Sequence, residues 1–193
     1  MRFQGDATRR DIRVPDAVPN ISGTWLPMSS NRTISPLDGS ATPFLPWAAA
    51  FFEQRKAAEA AGMPIFDPNA SCLPSGVPRV IPTPYPLDIV QTPERTMIAI
   101  EVMHNYRVIH MNRSAPPADY PPSYLGYSVG RWEGDALVVT TTRLNGYTLV
   151  DEEGRPKSPA LTVTERYVKR APDVLEITYT IDDPKTYSRP WTA

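Results

Sequence analysis

The segment 127–142, YSVGRWEGDALVVTTT, most tightly limits what this chain can fold into. Two runs rich in β-branched and aromatic residues flank Glu133-Gly134-Asp135, the pattern of a β-hairpin with a tight turn. Two more strand candidates follow, over 161–169 and 174–182, turning at 170–173. The C-terminal half therefore reads as an antiparallel meander, an arrangement able to wrap around a small molecule.

A chain of 193 residues suits one domain with a sizeable core. Hydrophobic residues make up 41% and charged residues 21%, with a formal net charge of -1. No basic block stands out, which argues against nucleic acid as a partner. Cys72 is the lone cysteine, so an intrachain disulfide and a thiolate zinc site are both excluded. The sequence holds no apolar run of about 18 residues, the length a membrane-spanning helix needs. The start, Met1-Arg-Phe-Gln-Gly-Asp, lacks the apolar core of a signal peptide. The expected location is cytoplasmic as the sequence stands, and periplasmic if a leader has been removed. The 23 prolines, about twice the usual share, fall between element candidates and read as stiffened loops.

Residues 1–20 are polar and charged and predict a flexible arm, leaving 21–193 as a single barrel domain. The first strand is expected over 21–25. Its Gly23-Thr24-Trp25 resembles the Gly-x-Trp of lipocalin-type barrels, where the Trp closes one barrel end; a core Trp in an ordinary strand fits equally. Residues 46–61 are good helix formers and Gly62 supplies the stop. Trp47 and Phe51, four apart, share a face of that helix, which either plugs a barrel end or packs outside. The proline-rich connection 62–95 is long enough to suggest a function, such as lining a pocket mouth. Within it, 87–91 is a short strand and 92–95 a turn. Residues 96–111 form the longest strand candidate.

That strand is rich in reactive groups. Alternation places His104, Tyr106 and His110 on one face, and Glu101, Asn105 and Arg107 on the other. His104 and His110 are the chain's two histidines. In an extended strand they lie roughly 20 Å apart, too far to share a metal ion. No metal site is predicted, although a carboxylate calcium site at Asp182-Asp183 stays open. His104 is the leading proton-transfer candidate, because imidazole exchanges protons near neutral pH; a core or exposed histidine is the plainer alternative. Glu165 falls among Leu161, Val163 and Tyr167. A carboxylate there must be paired, with Arg107 or Arg131, or carry the raised pKa of a general acid. Tyr106, Tyr124, Tyr127, Trp132, Tyr147 and Tyr179 are candidates to clamp a planar ligand. Asp183 and Arg189 are expected to pair, with Trp191 anchored on the body.

Several long motifs resemble a widespread, largely uncharacterised bacterial family: Ser128-Val-Gly-Arg-Trp-Glu-Gly-Asp-Ala-Leu-Val-Val139, Val163-Thr-Glu-Arg166, and Thr180-Ile-Asp-Asp-Pro-Lys-Thr-Tyr-Ser-Arg-Pro-Trp191. The stretches 67–79 and 85–93 carry the resemblance further. It brings no known activity with it. It implies a secreted or periplasmic setting and a further strand after Trp191-Thr-Ala193. Loss of that strand either opens the barrel or exposes an edge that a second subunit covers, giving a homodimer. His104 stands where such relatives often carry an amide.

The sequence thus predicts an all-β, antiparallel, lipocalin-like barrel of about eight strands with one α-helix. The expected function is a cofactor-independent enzyme, a lyase or isomerase, acting on a small hydrophobic, aromatic or polycyclic molecule. His104, Glu165 and Glu101 would move protons, and Arg107 with a tyrosine hydroxyl would steady oxyanion charge. The alternative is a non-catalytic carrier with the same cavity.

Overall fold

The computed structural model describes residues 1–6, 18–28 and 33–193. In chain order these form β1 (Arg2–Asp6), β2 (Gly23–Pro27), helix α1 (Pro46–Ala60), β3 (Leu87–Gln91), β4 (Arg95–Ile100), β5 (Asn105–His110), β6 (Tyr127–Glu133), β7 (Ala136–Thr142), β8 (Thr162–Ala171), β9 (Val174–Asp182) and β10 (Trp191–Thr192). Each strand pairs with the next, and β1 also pairs with β9, so the sheet curls into a barrel-like wall. The expected mostly β fold with one helix is therefore observed.

The hairpins follow from local chemistry. Glu133 pairs with Ala136 across Gly134-Asp135, and Gly134 takes φ +62°, a conformation cheap only without a Cβ. Alternation then sorts the faces: Val163, Glu165 and Tyr167 of β8, and Leu175, Ile177, Tyr179 and Ile181 of β9, all point into the core. Trp25 is fully buried, gives its indole N–H to the Ile21 carbonyl at 2.9 Å, and carries the Lys169 ammonium 5.8 Å above its ring.

Two expectations are corrected. Residues 2–6 are a strand, not part of a flexible arm, because they bridge β2 and β9; positions 7–17 of that arm lie outside the described residues. The single strand 96–111 is instead the hairpin β4–β5. Glu101 to His104 fold into a tight turn in which Met103 and His104 take φ +55° and +49°. Pairing β4 with β5 satisfies both backbones, which one long strand would have left dependent on other partners. On α1, Trp47 and Phe51 face solvent, while Ala48, Phe52 and Arg55 are buried. The Phe44 ring meets that of Phe52 at a 37° tilt with centroids 5.2 Å apart, and the Arg155 guanidinium covers the same ring, so their position chose the buried face. Along the side of β9 away from β8, Met1 and Arg2–Gln4 line the first half and Trp191–Ala193 the second.

The proline-rich connection supplies core. Residues 75–83 are buried without regular structure, and Val77, Val80 and Ile81 join the main cluster. Prolines have no N–H to strand in an apolar interior, and the remaining groups close local turns, Val80 N–H to Gly76 at 2.8 Å and Thr83 Oγ1–H to Val80 at 3.0 Å. Two buried aspartates fasten the loops under α1. Asp183 accepts from Ser158 N–H (2.6 Å), Ser158 Oγ, Thr186 Oγ1 and Lys185 N–H; none of these is Arg189, and the saturated carboxylate explains why 182–183 is structural. Asp151 accepts from Ile34, Gly154 and Arg155 N–H groups and pairs with the Arg155 guanidinium.

Candidate functional site

The one parallel junction in the wall creates the site. β5 and β6 pair at only two positions, Ile109 with Ser128 and His110 with Val129. Parallel neighbours need a long connection to bring the chain back to its starting end, and residues 111–126 with Pro116, Pro117, Pro121 and Pro122 supply it. This replaces the wholly antiparallel order expected. Because pairing is confined to the end of β5, residues 104–108 splay from the returning loop and leave a cleft of about 400 Å³.

Both histidines and four tyrosines, Tyr106, Tyr120, Tyr124 and Tyr127, line this cleft. His104 and Tyr106 are exposed, and with Asn105 they form a ridge shared with a second depression that contains Asp88 and Glu101. His110 lies at the far end. Its ring stacks on Tyr127 at 4.5 Å with 5° between planes, and Tyr120 meets Tyr127 edge-on at 4.8 Å. Burial, then the cations Arg95 and Arg113, holds the His110 imidazole below its ordinary pKa. Both influences disfavour a proton on the ring.

Beneath the cleft is a buried pair. Arg107 donates from Nη1 to Glu165 Oε1 at 2.9 Å and from Nη2 to Glu165 Oε2 at 2.6 Å. Nη2 also reaches Ser128 and Thr141, and the Tyr167 hydroxyl donates to Glu165 at 3.1 Å. Burial alone would lower the Arg107 pKa, but the adjacent carboxylate outweighs it and raises the value above normal. Of the two readings open for Glu165, the structure shows the pair with Arg107. Among the described residues, no group of three His, Cys, Asp or Glu side chains is placed to hold a metal ion.

The candidate residues thus divide. His104, Tyr106, Arg107 and Tyr127 border the cleft, and Glu101 borders the neighbouring depression that shares His104. Trp132 is half-buried on β6 and does not line it. Tyr179 is in the core beside Met1 and Ala193, with a buried hydroxyl that has no partner and a pKa raised by burial and by Glu165. Sequence reasoning passed over Tyr120 and the stacking of His110. Tyr120 lay in a proline-bracketed loop with no periodicity to mark it. Also missed was Lys157, buried with its ammonium donating to the Val77 carbonyl at 2.7 Å. No family model, curated protein or solved structure matches this chain.

Proposed function

We propose that the β5–β6 cleft binds a small planar molecule and acts on it by proton transfer, as a cofactor-independent lyase or isomerase. The observation that carries this reading is the gathering of both histidines and four tyrosines around one cleft. Aromatic walls suit a planar ligand, and imidazoles supply the proton-transfer groups. His104 ends the turn before β5 and His110 closes that strand, so the two stand at opposite ends of the cleft and a ligand reaching both has more than one ring. His104 is the acid–base group, with Glu101 three residues before it; His110 is held by its stack on Tyr127 and orients the ligand. Glu165 leaves the set of proton-transfer groups, because its oxygens are already occupied by Arg107 and Tyr167.

The test mixes the protein with a panel of two- and three-ring aromatic compounds, neutral, anionic and cationic. Binding is followed by the histidine Hε1 NMR signals and turnover by mass spectrometry. The reading expects saturable shifts at both histidines and a product that disappears in His104→Ala. Binding without any product, unchanged over hours, would overturn the catalytic part and leave a carrier. Absence of binding across the panel would overturn the site itself.

A further inference from the structure

Resting on that reading of the cleft, we infer that its ligand is an anion, a planar aromatic acid whose carboxylate docks at the His110 end between Arg95 and Arg113. Register makes the first part of the argument. Arg95 is the direct partner of His110 across the β4–β5 hairpin, so the two side chains leave the sheet on the same face. That face is the outer one, since the inward set is Thr96, Ile98 and Ile100 on β4 and Asn105, Arg107 and Ile109 on β5. Arg113 follows three residues after His110, where the chain leaves the strand.

Charge makes the second. The charged groups that act on His110 are these two arginines, and both oppose a proton on it. Glu94 and Asp119 lie nearby in sequence but are exposed and do not offset them. No salt bridge occupies Arg95 or Arg113 among the described residues. Neither arginine lines the cleft itself; both are exposed and act on His110 at its end. Two guanidinium groups that no salt bridge engages among the described residues, beside the His110–Tyr127 stack, match the two parts of an aromatic carboxylate. A cationic ligand would meet repulsion, and a neutral one would leave the arginines unanswered.

The opposite end differs. His104 shares its second depression with Asp88 and Glu101, so the carboxylate of the ligand is directed away from it and toward Arg95. The site is polarised along β5, which fixes the direction in which an asymmetric ligand lies.

The experiment measures binding of 2-naphthoate and its near-isostere 2-naphthamide by calorimetry at pH 7.5, in the wild type and in the Arg95→Gln/Arg113→Gln double variant. The expected result is naphthoate binding at least about tenfold tighter than naphthamide, the size of one charge-assisted contact. The double variant is expected to lose that preference while binding naphthamide as the wild type does. Both arginines are outside the core, and a matching thermal midpoint checks that the variant is folded. Equal affinity for acid and amide in the wild type, or a preference that survives the double substitution, overturns the inference and leaves the aromatic cleft standing. If neither compound binds and the wider aromatic panel also fails, the cleft reading falls and this inference with it.

Discussion

Replacing Glu165 by Gln should destabilise this protein severely, through Arg107 and not through any lost chemistry. Arg107 and Glu165 have side chains 1% and 0% exposed and share two hydrogen bonds. Removing one partner of a buried pair leaves an uncompensated charge and costs about 3–5 kcal/mol. For a chain of this size each kcal/mol moves the thermal midpoint by about 2–4 °C, so Glu165→Gln should melt about 10 °C lower. Arg107→Met should cost as much, because it leaves the Glu165 carboxylate buried without its cation. The double replacement Arg107→Met/Glu165→Leu should recover most of the loss, because matched apolar groups need no solvation, and Ser128 and Thr141 keep their mutual hydrogen bond at 2.9 Å. Urea unfolding of the four proteins measures all of this. A Glu165→Gln protein within about 1 kcal/mol of wild type, or a double variant no better than the worse single, would refute the reasoning.

Lys157 is held near pKa 7, chiefly by burial and further by Arg79, against the pull of Asp183. Between about 7 and its unfolded value near 10.4 the unfolded chain carries a proton that the folded one lacks, so stability rises with pH through that window. From pH 7.5 to 9.5 the wild type should gain about 2 kcal/mol more in urea unfolding than Lys157→Met, and equal gains would contradict the burial argument. Gly126 and Gly134 both take positive φ, +64° and +62°, yet a Cβ on Gly126 would sit 2.4 Å from the Thr142 carbonyl, whereas on Gly134 it would meet nothing within 4 Å. Gly134→Ala should therefore cost only the backbone strain, about 1 kcal/mol, and Gly126→Ala at least about 2 kcal/mol more, by the same urea assay. Equal costs would mean that close approach is not what requires Gly126.

Much of the wall was legible from local pattern. The turn at Gly134-Asp135, both C-terminal hairpins, the strand over 87–91 and the helix start and stop each depend on residues within a few positions of one another. Glu165 could be recognised as a residue needing a partner, because alternation set it among apolar neighbours. Its choice of Arg107 over Arg131 was not legible: 58 residues separate them in sequence, and β5 and β8 come together only when the sheet curls.

The failures have one origin. Residues 96–111 alternate well enough to be one strand, and nothing local announces that 101–104 turn back. The sequence left open which face of α1 is buried, and Phe44, Tyr187 and Arg155, which arrive from elsewhere in the chain, decide it. Residues 75–83 read as part of a stiffened loop, and their burial in the core was not legible, because composition reports a lack of regular structure, not a lack of water.

What the sequence determined alone was the material of the fold: which segments extend, where they turn, and which residues cannot stand in apolar surroundings unpaired. Those properties arise from steric and hydrogen-bonding preferences of a few adjacent residues. What tertiary structure decided was adjacency. The parallel meeting of β5 with β6 opened the cleft and brought Tyr120 and Tyr127 to His110. Those contacts depend on how the sheet curls after β5, and no local preference encodes it.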